Sequence, residues 1–203
     1  SMKVSLKNVT LKKALPWILI IGGIIGLIGS FILTYDSLKI AANPNYVPNC
    51  NLNPIVSCGS VLSSSEGSVF GFPNSFMGLT AFAVFVTIGV AILAGAKFKK
   101  WFWLGLQGGV IFAVLFVHWL FYHSVYTISS LCPYCMSVWA VVITTFVYVT
   151  FYNVDQGYIK ISPKFKKIYV AIRRHHLDIL VAWLLLIAGL ILKHFWYYYG
   201  HYF

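Results

Sequence analysis

The chain has 203 residues, of which 60% are hydrophobic and 9% are charged. Soluble domains carry about 25% charged residues, so this composition excludes an ordinary soluble protein and indicates a membrane protein with an apolar exterior. The net charge of +11 is confined to short runs between apolar segments. That distribution is typical of membrane proteins and argues against a nucleic-acid partner.

Apolar stretches predict five membrane-spanning helices, since a span needs about 20 residues. Ala14–Tyr35 and Gly67–Ala96 provide one span each. The charge-free stretch Trp101–Val154 is long enough for two spans and is predicted to turn near His123–Ser130. The last span combines Ile179–Leu192 with the aromatic tail that follows it. The predicted helices are 15–35, 75–95, 100–122, 131–152 and 178–198.

The distribution of lysine and arginine predicts how these spans are oriented. Thirteen of the 15 basic residues lie in segments 1–14, 97–100 and 153–177, which the positive-inside rule assigns to the cytoplasm. The sequence therefore predicts an all-α, multi-pass protein of the cell membrane with a cytoplasmic N-terminus. Ser1 is interpreted as a tag residue ahead of the initiator methionine, and the first span as an uncleaved anchor.

All four cysteines lie on the extracytoplasmic side of this topology, where disulfides are stable. Cys50 and Cys58, with seven residues between them, lie in the outer loop 36–74, which is predicted to cover the bundle as a lid. Cys132 and Cys135 form a Cys-x-x-Cys motif where the fourth span begins. A helix N-terminus favours a thiolate at such a motif.

The start of the fourth span also predicts the relative depth of its two cysteines. Pro133 suits the first helical turn, and Ser129 or Ser130 is predicted to cap that turn. A three-residue offset puts Cys135 about 4–5 Å deeper than Cys132 along the helix axis. Cys132 is therefore expected to meet the loop thiols, and Cys135 a molecule dissolved in the membrane.

Three interpretations of the cysteines remain open at this point. They exchange electrons, they form permanent structural disulfides, or they bind zinc as a four-cysteine site. A three-residue helical spacing is awkward for a permanent disulfide. The seven-residue spacing of the loop pair is unusual for zinc. Electron exchange is the favoured interpretation, and no metal is expected.

The order of these motifs resembles that of the vitamin K epoxide reductase family. The loop pair is followed by Ser63-Ser64, then by the stretch 70–75 (Phe-Gly-Phe-Pro-Asn-Ser) leading into a span, and then by the Cys-x-x-Cys motif. The resemblance covers roughly residues 15–152 and is to bacterial members without a fused thioredoxin-like domain. The segment 178–203 adds a fifth helix that some members have.

The resemblance implies a four-helix transmembrane bundle that holds a quinone of the menaquinone, ubiquinone or vitamin K type. By its motifs, Cys135 acts on the quinone, Cys132 exchanges with Cys58, and Cys50 receives electrons from a thioredoxin-fold carrier. The supporting residues that it implies are Ser64 beside the loop pair, and Asn74 and Trp139 at the quinone. Trp139 stands where animal members have tyrosine, which puts specificity for the epoxide in question.

The sequence thus predicts a membrane thiol–quinone oxidoreductase that supports disulfide formation in exported proteins, with a separate carrier on the extracytoplasmic side. One alternative is a vitamin K quinone or epoxide reductase whose purpose is quinone reduction. Another, from a different class, is a non-enzymatic membrane protein with structural disulfides.

Overall fold

The computed structural model describes the backbone of residues 2–200 and the side chains of residues 11–198. Over that range the protein is almost entirely helical, and its only β-type pairing is one isolated bridge between Val56 and Leu131. The helices are α1 (Met2–Ala42), α2 (Cys58–Leu62), α3 (Ser75–Leu93), α4 (Lys100–His123), α5 (Pro133–Asp155), α6 (Lys166–Arg174), α7 (His176–His194) and α8 (Trp196–Tyr199).

Five helices are long and apolar enough to cross a membrane, which confirms the predicted class of fold. They are α1 from Leu11 onward, α3, α4 with the turn that follows it, α5 and α7. The first helix is longer than predicted and continues to Ala42. Its outer end carries Asp36, whose carboxylate accepts a hydrogen bond of 2.9 Å from the Tyr46 hydroxyl. This contact joins the outer loop to the end of the first helix.

The turn between α4 and α5 lies where the sequence predicted it but differs in detail. A π-helical turn at Ser124–Ile128 extends α4, and Ser129 follows in the left-handed region with φ 54°. The prediction that Ser129 or Ser130 caps α5 is wrong, because Cys132 occupies the cap position. The carbonyl of Ser130 instead accepts a hydrogen bond from the Ser124 hydroxyl. Pro133 lies in the first turn of α5, as predicted.

The bundle is built around α1, which packs against both α3 and α5, while α4 packs on α5. Glycines permit the close approach of α1 and α3. A Cβ at Gly26 would lie 2.5 Å from the Phe82 ring, and one at Gly23 would lie 2.7 Å from Val86. Within the described chain, α3 and α4 scarcely touch, so the bundle has a gap on that side.

The far end of the bundle joins α5, α6 and α7. Asp155, at the end of α5, accepts hydrogen bonds from Tyr169 at 2.6 Å and from Arg173 at 3.2 Å, which attach α6 to α5. In the membrane, the Trp183 indole of α7 donates to His118 of α4 at 2.9 Å. The fifth helix is otherwise mostly exposed, and only 6% of its most apolar 18-residue stretch is buried in the protein.

Candidate functional site

The outer loop is attached to the N-terminus of α5 by backbone hydrogen bonds. Leu131 donates to Ile55 at 2.7 Å, and Ser57 donates to Leu131 at 2.9 Å. The Ser57 hydroxyl accepts a hydrogen bond from the Ser60 backbone and so caps the short helix α2, which begins at Cys58. The loop therefore covers the outer end of the bundle and holds Cys58 above the start of α5.

This attachment brings all four cysteines into one cluster. Cys50 and Cys58 form a disulfide, whereas Cys132 and Cys135 are free thiols. The sulfur of Cys132 lies 3.2 Å from the sulfur of Cys58, and neither residue is exposed to solvent. Cys50 is 7% exposed, so it is the more accessible member of the loop disulfide.

The N-terminus of α5 also favours the thiolate of Cys132. A hydrogen bond with the Cys135 thiol lowers the pKa of Cys132, and backbone N–H groups of Cys135 and Tyr134 add to this effect against the opposing effect of burial. A thiolate is the nucleophile of disulfide exchange. The arrangement thus puts an activated sulfur in contact with one sulfur of an existing disulfide.

Two adjoining apolar cavities lie beneath the loop, and Cys135 lines both. Their volumes are about 70 Å³ and about 310 Å³. The larger one extends into the gap between α3 and α4, where Gly109 and Phe112 line it. This cavity connects the second cysteine of the Cys-x-x-Cys motif to the lipid-facing side of the bundle.

Asn74 and Trp139, predicted from the family motifs, both line the two cavities beside Cys135. The Asn74 amide donates to the Glu66 carbonyl at 2.6 Å, and its oxygen accepts from the Val69 N–H at 3.2 Å. Since an amide NH₂ has two hydrogens, one donor remains after this contact. Trp139 is buried, with its ring edge-on to Phe121 at 5.7 Å between centroids.

Ser64 lies in the segment that connects α2 to the rim of the smaller cavity. Its hydroxyl donates to the Val61 carbonyl at 2.6 Å and accepts from the Gly67 N–H at 3.1 Å. These bonds cap the 3₁₀ turn Ser65–Ser68 and shape the segment that carries Glu66. The hydroxyl is thus engaged with loop backbone, and its predicted role in the relay stays a prediction.

The structure adds Glu66 and His123, which were not predicted as site residues. Glu66 lines the smaller cavity, and its carboxylate lies 3.8 Å from Nδ1 of His123 at the end of α4. Hydrogen bonds from its own backbone N–H and from Ser65 lower the pKa of Glu66, with a contribution from His123. The signal in the sequence is that Glu66 is the one acidic residue in the outer loop after Asp36.

Among the described side chains, no group of three or more His, Cys, Asp or Glu residues is close enough to hold a metal ion. The combination of spanning helices, clustered thiols and a lipid-facing cavity defines a class of membrane protein suited to redox chemistry of thiols at the bilayer.

A family model confirms and narrows that class. The model described as the vitamin K epoxide reductase family matches residues 17–150, so the chain belongs to this family. Membership makes the protein a membrane oxidoreductase with quinone-linked redox activity. A comparison with curated protein sequences finds no match.

Proposed function

We propose that this protein is a thiol–quinone oxidoreductase that supports disulfide formation in exported proteins. Electrons pass from a separate thioredoxin-fold carrier to Cys50 and Cys58, then to Cys132 and Cys135, and finally to a quinone. The observation that carries the proposal is the 3.2 Å contact between the sulfurs of Cys58 and Cys132, beside a cavity lined by Cys135. The lysine and arginine distribution supports an active site at the extracytoplasmic face.

The first exchange takes electrons from the carrier. A carrier thiolate attacks the Cys50 sulfur, forms a mixed disulfide and releases the Cys58 thiolate. The second carrier thiol then displaces Cys50, which leaves an oxidised carrier and a reduced loop pair. Attack at Cys50 is supported by its 7% exposure, compared with 0% for Cys58.

The second exchange moves the same electrons to the Cys-x-x-Cys motif. When Cys132 and Cys135 are joined as a disulfide, the Cys58 thiolate attacks Cys132 and releases Cys135. Cys50 then attacks Cys58, which restores the loop disulfide and frees Cys132. The observed combination of a Cys50–Cys58 disulfide with free Cys132 and Cys135 corresponds to the product of this exchange.

The cavity beside Cys135 fits the acceptor that the family implies. Its volume of about 310 Å³ is at the lower end of the range of about 300–1,000 Å³ for small-molecule sites. Oxidation of Cys132 and Cys135 to a disulfide releases two electrons and two protons, and a bound quinone supplies the acceptor for both. Cys135 contacts the acceptor, and the free N–H of Asn74 and the Trp139 indole orient it.

Quinol formation by the purified protein tests this proposal. A reduced thioredoxin-fold carrier and a quinone are supplied in detergent, and quinone absorbance is followed. We expect Cys135→Ala to abolish turnover. Ser137→Ala is the matched control, because Ser137 lies on the same helix with its hydroxyl bonded to the Tyr134 carbonyl. Unchanged turnover in Cys135→Ala would contradict the assignment.

The same assay separates the alternative purposes. Faster turnover with a vitamin K epoxide than with the quinone would favour a vitamin K reductase. Permanent structural disulfides predict no turnover at all and no reduction of Cys50–Cys58 by the carrier. Trapping a mixed disulfide between the carrier and Cys50 would support attack at that sulfur.

A further inference from the structure

The segment that joins α5 to α7 is strongly basic and lies at the end of the bundle opposite the cysteines. Residues 156–177 contain six lysines and arginines and no acidic residue. The 23 residues of α5 separate this segment from Cys132, a length of about 35 Å at 1.5 Å per residue. No part of the proposed redox site extends to this end, so an inference made here is independent of that proposal.

One of these cations is already neutralised. Arg173 pairs with Asp155 at 3.2 Å and lies 5.1 Å above the Phe151 ring. With Tyr169, which also bonds Asp155, it fixes one side of α6 against α5. The five remaining cations are exposed and have no acidic partner within the segment. They are Lys160, Lys164, Lys166, Lys167 and Arg174.

The helix α6 is amphipathic, and its apolar side is uncovered. At 100° per residue, Phe165, Ile168 and Ile172 project on one side, opposite the side that carries Lys166, Lys167 and Arg174. The exposed fractions of the three apolar residues are 53%, 55% and 40%. The short 3₁₀ turn Pro163–Phe165 leads directly into this helix.

The position of α6 decides what covers this side. Ten residues separate it from the end of the spanning helix α5, and one residue separates it from the start of the spanning helix α7, so it lies close to the boundary between hydrocarbon and water. A helix with exposed apolar residues on one side and lysines on the other is suited to lie in that boundary. Acyl chains then cover the apolar side, and lipid headgroups meet the lysines.

We propose that α6 lies in the membrane surface and that Lys164, Lys166, Lys167 and Arg174 bind the phosphate groups of anionic phospholipids. The charge is the recognition element, because clustered lysines beside a spanning helix attract anionic headgroups. A soluble acidic partner is less well suited, since it would leave Phe165, Ile168 and Ile172 uncovered.

Lipid adducts on the intact protein test the proposal. Native mass spectrometry of the detergent-solubilised chain compares phosphatidylglycerol with phosphatidylcholine of the same acyl composition. We expect the wild type to bind phosphatidylglycerol at least about tenfold more tightly. The variant K164Q/K166Q/K167Q is expected to lose most of this preference, so that its affinity for phosphatidylglycerol approaches its affinity for phosphatidylcholine.

The matched control is K97Q/K99Q/K100Q, which removes the same charge from exposed lysines of the other predicted cytoplasmic loop. That loop has no amphipathic helix, so we expect most of the phosphatidylglycerol preference to remain. Equal losses in the two triple variants would overturn the proposal in favour of a general effect of net charge. Equal binding of the two lipids by the wild type would also overturn it.

Hydrogen exchange in nanodiscs tests the position of α6. We expect the amides of 166–174 to exchange more slowly when phosphatidylglycerol is added to phosphatidylcholine, and I168Q/I172Q to remove this protection. Exchange at the same rate in both membranes would overturn the proposal. Retention of soluble polyglutamate by the wild type but not by K164Q/K166Q/K167Q, without lipid preference, would instead assign the surface to an acidic protein.

Discussion

At the scale of single residues, the redox chemistry depends on how the start of α5 sets the pKa and the position of Cys132. The thiol of Cys135 is the largest influence that lowers the pKa of Cys132. Cys132 already lies 3.2 Å from the sulfur of Cys58. Its thiolate can therefore attack Cys58, form a Cys132–Cys58 disulfide and release the Cys50 thiolate; when Cys135 is absent, only Cys50 remains to reverse this exchange.

This contact predicts a pH dependence that differs between two substitutions of Cys135. Serine retains a hydrogen-bond donor and alanine does not. A lowered pKa keeps Cys132 ionised to lower pH. We therefore expect formation of the Cys132–Cys58 disulfide to persist to a lower pH in C135S than in C135A. Acid quenching followed by peptide mass mapping measures, for each variant, the pH at which half of the disulfide forms. Equal midpoints would mean that the Cys135 side chain does not activate Cys132.

A second prediction at this scale concerns Glu66 and His123, whose side chains approach to 3.8 Å across the rim of the smaller cavity. The contact joins the outer loop to the end of α4, so its loss is expected to loosen the cover over Cys135. Because a partly exposed polar contact of this length contributes little, E66Q should raise KM for the quinone by less than about fivefold and leave kcat nearly unchanged.

A double-mutant cycle checks that the two residues act together. If they do, E66Q/H123Q has the same KM as E66Q alone, because either substitution already removes the contact. Independent, additive increases in KM would show that each side chain acts on the cavity separately. S65A serves as a control, since Ser65 bonds the same carboxylate at 2.9 Å without reaching α4.

At the scale of helices, α1 and α3 approach closely because glycines face bulky side chains. The Phe82 ring leaves no room for a Cβ at Gly26, which would lie 2.5 Å from it. We expect G26A to destabilise the bundle by about 1–3 kcal/mol, the usual cost of overpacking. G105A is the control, because a Cβ there would meet nothing within 4 Å.

Thermal unfolding of the two variants in the same detergent measures the difference. G105A should unfold close to the wild-type temperature, whereas G26A should unfold at a lower one. Shortening the facing side chain in G26A/F82L should recover part of the loss. Equal shifts in G26A and G105A would attribute the effect to alanine itself and not to the contact between α1 and α3.

How far the sequence predicts this fold depends on how far apart in the chain the contacting residues lie. Charge-free length predicts the five spans, and Pro133 predicts the start of α5 to within two residues. The cap at Cys132 was missed because it depends on the pairing of Leu131 with Ile55, which lie far apart in the chain. Glu66 and His123 were missed for the same reason, since only the folded loop brings them together.

At the scale of the whole molecule, the fifth helix is attached differently from the other four. The family match ends at residue 150, before α7 begins. Half of the most apolar 18-residue stretch of α5 is buried in the protein, compared with 6% for the corresponding stretch of α7. Lipid tails are as apolar as the helix surface that α7 covers, so exchanging α7 for lipid costs little except at polar contacts.

Two hydrogen bonds attach α7: Tyr148 of α5 contacts Nδ1 of His176 at the start of the helix, and the Trp183 indole donates to Nε2 of His118 further along it. In a chain ending at His175, lipid replaces Trp183 and leaves Nε2 without a donor, whereas Nδ1 retains the Val114 carbonyl at 2.6 Å. We therefore expect H118L to have opposite effects in two backgrounds. It should destabilise the full chain, because the Trp183 N–H loses its acceptor, and it should stabilise the shortened chain.

The loss in the full chain is expected to be about 0.5–2 kcal/mol, the range for hydrogen bonds between membrane helices. Unfolding of all four proteins in nanodiscs of one lipid composition measures the two differences. The shortened chain should also retain quinol formation, because Cys135 and its cavity lie on helices that do not include α7. If H118L lowers stability equally in both backgrounds, the helix is held by apolar packing and the Trp183 contact is incidental.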